Sequence, residues 1–467
     1  MVTDTFSFSI NNGGGFFLWF KQGKMKSELF LRHKEYLAIA IPFMLATITQ
    51  PLLGAMDTAI IGRLEEASYI AGVAIGSTIF STIYWLFGFL RVSTSAFSAQ
   101  SLGKQKEKDQ YTAYFRPFFM ALLISGIFIV LQGLIKQAAI TIYNPEPAVI
   151  LQANTYFDIL IWGAPFVLLG YVNIGWLMGR KYARETLILQ ISMNVLNILL
   201  DVLFVLVWDF GVAGVAYGTI IAQIFGFVVG TYIIGRKLEL KKFIPYKKEI
   251  FDLASFKKMM SVNVDLIIRT ICLLVMTNMF VAKGTEFGTV TLAANAVLFQ
   301  IQYIISYMFD GIANASSVFA GKAMGEKNAK EFKKIFSISN VYTGLLSVVL
   351  AAIMLFFGEP ILALFTTIEE VVIISQEYVV WLVVFPFVVG VGLVYYGIFT
   401  GCTYTAPVRD SMLMSLFIFV GAYYLLIPLY ANHGLWFTFI LFSLGRSVFL
   451  YMYTGKLLRK VFALGSQ

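Results

Sequence analysis

Gln190, Asn194, Asn197 and Asp201 stand four, three and four residues apart in the stretch QISMNVLNILLDVLFVLV, so on a helix they share one face. The other sides of that helix are Ile, Leu, Val, Met and Phe. A carboxylate turned toward lipid costs roughly 2.5–3.5 kcal/mol on insertion scales, so the stripe is expected to face protein or a water-filled cavity. A single Asn in such a place reads as glue between helices; four polar residues in register, one of them ionisable, read as a cavity wall. After a short turn at Asp209-Phe-Gly-Val-Ala-Gly, a second apolar run carries Thr219 and Gln223 four apart, giving a hairpin whose polar faces look into one space. Upstream, Gln50 and Asp57 lie seven apart and again on one face, beside Pro42 and Pro51, which free backbone carbonyls and permit a kink. Asp57 reads either as a solvated boundary residue or as a carboxylate sharing a site with Asp201. Tyr156 and Thr219 could supply hydroxyls to that site, whereas Asp158 reads as interfacial. Gln50, Asn173, Gln190, Asn194 and Gln223 are the amides expected to line the cavity.

Elements of a particular kind must position these residues. The chain has 467 residues, 59% of them hydrophobic and only 13% charged. A soluble domain cannot bury that much apolar surface, and a membrane span needs about 20 apolar residues. The apolar runs are continuous rather than alternating, which excludes a β-barrel. The net charge of +9 invites a nucleic-acid reading, but the basic residues lie in loops between spans. Cys272 and Cys402 sit in apolar runs and read as packing residues, and His33 and His433 are isolated, so no disulfide framework, cofactor or metal site of the usual kind is expected.

Twelve apolar segments are predicted, near 36–62, 70–98, 112–135, 150–178, 186–208, 212–235, 261–282, 290–320, 335–357, 371–400, 411–431 and 434–455. Lys and Arg test that count: 29 fall on one side, only Arg63, Lys136 and Lys283 on the other, and Arg91, Arg269 and Arg446 lie within spans. The positive-inside rule then puts both termini in the cytoplasm. The chain also repeats itself. A single shift that lays Gly62 on Gly284 also lays Phe87 on Phe309, Ser95 on Ser317, Gly103 on Gly325 and Tyr156 on Tyr378. The expected fold is an all-α polytopic membrane protein, with twelve transmembrane helices in two parallel, pseudo-symmetric six-helix lobes. The lobes are assigned to 35–235 and 261–455, joined by a basic linker at 236–260 and flanked by tails at 1–34 and 456–467. The glycine-broken start, NNGGGFFLWFKQGK, is too short to span and lacks a signal-peptide cleavage site; Met25 is an alternative start.

In the second lobe, Asp265 and Arg269 are spaced i, i+4 and read as a structural ion pair. Arg91 and Asp310 occupy nearly equivalent repeat positions and could pair between lobes. Gly88, Gly311, Gly321, Gly392 and Gly397 read as close-packing positions.

GAMDTAIIGRL at 54–64, NVLNILLDVLF at 194–204 and GVAGVAYGT at 211–219 resemble the multidrug and toxic compound extrusion (MATE) transporters, over about residues 30–460. FLRVSTSAFSAQSLG at 89–103, VNVDLIIRT at 262–270 and FDGIANA at 309–315 resemble the DinF-like branch. The resemblance implies a cation-coupling site at Asp57, Tyr156, Asn197, Asp201 and Thr219, and a bend point at Pro42. Ser317 departs from the Glu that many DinF-like sequences carry. The expected activity is antiport: organic, often cationic amphipathic compounds leave as protons enter, without enzymatic chemistry. Sodium is the alternative ion, with Asp57, Asn197 and Asp201 as its oxygen donors. The expected setting is the cell's inner (cytoplasmic) membrane, as a monomer. Two other functions are weighed against this one. A lipid-linked precursor flippase would want a cationic cavity and fourteen spans. An intramembrane aspartyl protease using Asp57 and Asp201 lacks a Gly-x-Gly-Asp signature and leaves the repeat unexplained.

Overall fold

The computed structural model describes residues 24–62 and 67–465; side chains at 24–32, 50–55, 57–59, 67, 240, 241, 243 and 461–465 lie outside that description. Among the described residues there is no β-strand. The first half runs through α1 (Lys24–Ile61), α2 (Ala67–Phe87), α3 (Phe89–Lys104), α4 (Glu107–Val130), α5 (Gln132–Tyr143), α6 (Pro147–Leu160), α7 (Ala164–Gly179), α8 (Ala183–Asp201) and α9 (Gly211–Lys237). A short connection holds α10 (Lys247–Ile250). The second half follows with α11 (Leu253–Gly284), α12 (Thr289–Gly325), α13 (Ala329–Phe365), α14 (Glu369–Gly401), α15 (Ala406–Met452) and α16 (Thr454–Gly465).

Long uninterrupted apolar runs leave the backbone no partner but itself, and helix is the solution that satisfies it within one segment. The ends are set by local chemistry. Asp252 accepts from the Ser255 amide at 2.9 Å to cap α11, and Asn328 accepts from Glu331 at 3.0 Å to cap α13. Gln105 and Asn144 close α3 and α5 with left-handed backbone at φ 55 and 41.

Ten described segments are long and apolar enough to cross a membrane. One of them, Ala406–Lys460, contains two crossings. Ala431 sits at φ 47, ψ −127, and beyond it Gly434 packs against Leu426 and Ile427 while Gly445 packs against Ser415. Those pairings are antiparallel, so α15 is a hairpin. With α1, itself 38 residues long, the architecture is compatible with twelve crossings.

The repeat is visible in the packing. Gly175 and Gly179 of α7 lie against the carbonyls of Arg91 and Ser95 on α3; at the matching positions of the second half, Gly397 and Gly401 of α14 lie against those of Ala313 and Ser317 on α12. Any β-carbon at these glycines would collide with backbone, so the helices approach closely because side chains are absent. Helix α1 packs against α8 in its own half and against α12 in the other. Tyr36 in its first half reaches Ser316 at 2.7 Å and stacks on Tyr342, and Thr47 donates to the Tyr307 carbonyl at 2.8 Å. The connection between halves is docked rather than loose: Tyr111 donates to the Glu239 carbonyl, and Arg116 to those of Glu249 and Ile250. Residues 253–260, assigned to the linker from sequence, are the first two turns of α11.

Candidate functional site

Asp201 is the last residue of α8 and has no exposed surface. The next six residues, Val202–Val207, wind more loosely as a π-helix, with the Trp208 amide bonding back to Leu203 at 2.9 Å. Such π segments interrupt membrane helices most often where function needs an irregular backbone. The chain then turns at Asp209 and Gly211, both at φ 54, and returns as α9. Gly211 meets this left-handed requirement without cost; Asp209 is among the few side chains that tolerate it.

One turn before Asp201, Asn197 donates its amide to the carboxylate Oδ2 at 3.0 Å. Across the hairpin, Gly218 lies against the other oxygen, Oδ1, so closely that a β-carbon there would overlap it. Gly218 belongs to a seam repeating every four residues, Gly214, Gly218, Ala222, Gly226 and Gly230, along which α9 closes on Phe204 of the π-helical segment, on Asp201 and Met193 of α8 and, at Gly230, on Asn173 of α7. Tyr156 is buried in the same satellite cluster as Val215 and Ala216, near neighbours of Gly218 in sequence, together with Phe80, Phe157 and Val205. Asn197 and Asp201 are thus joined directly, and Tyr156 lies in the cluster that packs against α9 near Gly218. Thr219 is adjacent, but its hydroxyl donates to its own helix at the Val215 carbonyl, 3.0 Å away.

Along the stripe, Gln190 is buried, and the Asn194 amide nitrogen and the Gln223 carbonyl oxygen are buried without hydrogen-bond partners among the described residues. Gln223 faces Gly163, where α6 runs into α7. Asn173 does not belong to this wall. It is fully buried, accepts from Tyr114 at 2.9 Å and donates to the Phe227 carbonyl and Thr231, which makes it a cross-link between α4, α7 and α9. A sequence shows an amide in a span but not that its bonds are already made. Gln50 and Asp57 lie outside the described side chains; their backbone is helical, on the helix that packs along α8. Helix α1 is continuous through Pro42.

The structural pair expected between Asp265 and Arg269 is corrected. Asp265 accepts from Arg409 at 2.9 Å and from Thr405 at 2.7 Å, both at the start of α15. Arg269 instead lays its guanidinium over the Tyr396 ring at 4.1 Å. The i, i+4 spacing permits contact, but a tertiary partner with a hydroxyl beside it satisfies the carboxylate better. Arg91 and Asp310 form no exclusive pair either: Asp310 feels Arg269, Arg91 and Arg446 together. Asp158, read as interfacial, is exposed and meets Lys136 at 2.8 Å. Sequence reasoning missed the α9 glycine seam, whose fourfold spacing was there to be read.

A duplicated bundle of membrane helices, with a buried carboxylate held between an amide donor and a closely packed glycine, is the architecture of a membrane transporter. The MatE family model matches residues 42–203 and 266–425, one match in each half, and the chain belongs to that family of transporters. It is 30% identical to DNA damage-inducible protein F of Escherichia coli K12 over 413 residues, covering 88% of this chain and 90% of that one. It is 23% identical to a probable multidrug resistance protein NorM of Listeria innocua, covering 87% and 88%. Among solved structures, MATE in the bent conformation superposes with a TM-score of 0.82 at 20% identity, covering 96% of this chain and all of that one. A transporter of the wider superfamily from Pyrococcus furiosus, described as having a binding pocket of reverse polarity, also reaches 0.82, at 17% identity, covering 92% and 96%.

Proposed function

We propose that this transporter is a proton-driven exporter of amphipathic organic compounds, and that Asp201 is the group whose protonation couples ion entry to substrate exit. The observation that carries the reading is the fully buried Asp201 carboxylate, held by Asn197 and overlaid by Gly218. Burial removes hydration from the ionised form, while the Asn197 amide favours it. A conformational change that alters either influence changes which protonation state is preferred, and that is a coupling device. The names of the relatives, multidrug resistance protein among them, support drug-like cargo. Exchange of one proton for one monovalent organic cation moves no net charge, so the pH gradient alone drives it, at about 1.4 kcal/mol per unit. A neutral cargo adds roughly 2.3 kcal/mol per 100 mV of membrane potential.

The basic loops favour a cytoplasmic-membrane protein with both termini inside; that it works as a monomer is part of the same proposal. Sodium is the alternative ion, bound by the same oxygens. Transport by the purified protein in liposomes, with pH and sodium gradients imposed separately, tests the reading. Uphill dye efflux that follows only the pH gradient supports it; efflux that follows only sodium replaces the proton with sodium.

A further inference from the structure

The half of the molecule without Asp201 contains a second buried polar centre, of opposite sign. Arg269 of α11, Gly392 and Tyr396 of α14, and Ser411, Met412 and Arg446 of α15 enclose a small cavity with room for about one water-sized group. Arg446 is 9% exposed, and the Arg269 Nε is buried with no hydrogen-bond partner among the described residues. The two guanidinium groups are close enough to feel each other, and the Tyr396 side chain lies within the field of Arg446 as well as under Arg269. Among the described residues neither arginine makes an ion pair. The carboxylate one turn before Arg269 is held by Arg409 and Thr405, and Asp310 of α12 is shared among Arg269, Arg91 and Arg446.

Three guanidinium groups around the single carboxylate of Asp310 leave an excess of positive charge inside a membrane, and such groups mark ligand or ion sites by default. The repeat sharpens the point. Helices α11 and α14 and the two arms of α15 correspond to α1, α6–α7, α8 and α9, the helices around Asp201. The shift that lays Gly103 on Gly325 carries Pro147, where α6 begins, to Glu369, where α14 begins, and Gly179, where α7 ends, to Gly401, where α14 ends. The same helices thus hold an acidic centre in one half and a cationic centre in the other.

We propose that the cavity between Arg269 and Arg446 is an anion site, taking a compact singly charged ion of about the size of chloride; the carboxylate or sulfonate head of an amphipathic cargo is the larger occupant against which the test sets it. The guanidinium forks and the Tyr396 phenol offer donors, no carboxylate lines the cavity, and it is too small for a bulky multivalent anion. The site rests on this geometry alone; only its use by cargo rests on the exporter reading.

The test is thermal unfolding of the purified full-length protein in non-ionic detergent. Sodium gluconate is replaced by sodium chloride, or by sodium hexanesulfonate, at constant ionic strength. Saturable stabilisation is expected, with apparent affinity lowered about tenfold or more in Arg269→Gln and Arg446→Gln. Arg446→Lys, which keeps the charge and guards against loss of folding, is expected to fall between them and the native protein. Arg409→Gln, outside the cavity, keeps the response. Stabilisation by chloride alone assigns a resident inorganic anion; stabilisation by hexanesulfonate as well, in competition with chloride, assigns a cargo head group. No saturable response, or an equal response in all variants, overturns the site. Saturable binding by a protein that exports neither hexanesulfonate nor ethidium from liposomes keeps the site and removes the exporter reading.

Discussion

Gly103 and Gly325, equivalent positions of the internal repeat, meet face to face where the two halves touch at the end of the bundle that carries the basic loops. A methyl group on Gly103 would lie 3.0 Å from the Gly325 carbonyl carbon and would strike the Lys322 carbonyl oxygen; one on Gly325 would strike that of Gln100. Gln100 and Lys322 are themselves repeat equivalents, so the contact obeys the pseudo-twofold axis. Gln100 fastens it, donating to the Gly401 carbonyl at 2.9 Å and to Thr403 at 3.2 Å. A backbone contact of this kind between halves is what would serve as a seal at that end.

Substituting Gly325 with Val should pry this seal open, because overpacking against backbone costs about 1–3 kcal/mol and the halves can separate to relieve it. A cysteine placed at Thr403, in a background lacking Cys272 and Cys402, should then react with an impermeant maleimide roughly tenfold faster than in the Gly325 parent. Unchanged labelling would mean that the contact does not hold the seal.

Gly218→Ala targets the ion site without altering any ionisable group. The added methyl must displace the Asp201 carboxylate or part α8 from α9. Expression should be near normal, while gradient-driven efflux should fall about tenfold or more, at a cost of roughly 1–3 kcal/mol. Gly211, far from the carboxylate, is the control for mere backbone strain.

Asp265 is buried, so removing its tertiary partner should matter more than removing its neighbour in sequence. Arg409→Gln is expected to lower stability by about 1–3 kcal/mol, and Arg409→Gln with Asp265→Asn to be less than additive. Arg269→Gln should show no such coupling to Asp265→Asn. A double-mutant cycle on thermal unfolding midpoints decides between the two partners.

The fold was legible because its cause is composition and periodicity. Continuous apolar runs give crossings, Lys and Arg sort the loops, and the internal repeat appears first as matched letters and then as matched helix contacts at Gly175 and Gly397. The stripe from Gln190 to Asp201 was legible for the same reason, since a 3.6-residue period fixes a face. What a face looks at is another matter. Asn173 carries the same side chain as Asn197, yet its bonds are made by Tyr114 and Thr231, which come from other helices. Arg409, at the edge of a span, gave no sign that it would take Asp265 from Arg269. The arginine pair at Arg269 and Arg446 could not be read at all. One stands on the helix that opens the second half and the other near the end of α15, and only folding brings the two side chains to one cavity.

Lys181, in the turn between α7 and α8 and outside the spans, sits over the Phe319 ring of α12 at 3.8 Å. Burial, with the Lys322 charge adding to it and Glu35 and Glu326 opposing, pushes its ammonium down to about 8 from the usual 10.5. Between those values the unfolded chain holds a proton that the folded protein has lost, so this residue's contribution to stability rises with pH across that window. The unfolding midpoint of the native protein, relative to Lys181→Met, should therefore increase from about pH 7.5 to about pH 9.5. A flat or falling difference would show that Lys181 is not held in this contact.

The measurement that bears most directly on the central claim is uphill efflux by Asp201→Asn in proteoliposomes under an imposed pH gradient. Asparagine keeps the shape of the carboxyl and can bond with Asn197, but it cannot release or take up a proton. The variant should reach the membrane and bind substrate with only modest loss, since much of the contact with an amphipathic compound is apolar. It should nevertheless fail to concentrate substrate against a gradient. Native uphill efflux by Asp201→Asn, at normal expression, would contradict the assignment of Asp201 as the coupling group.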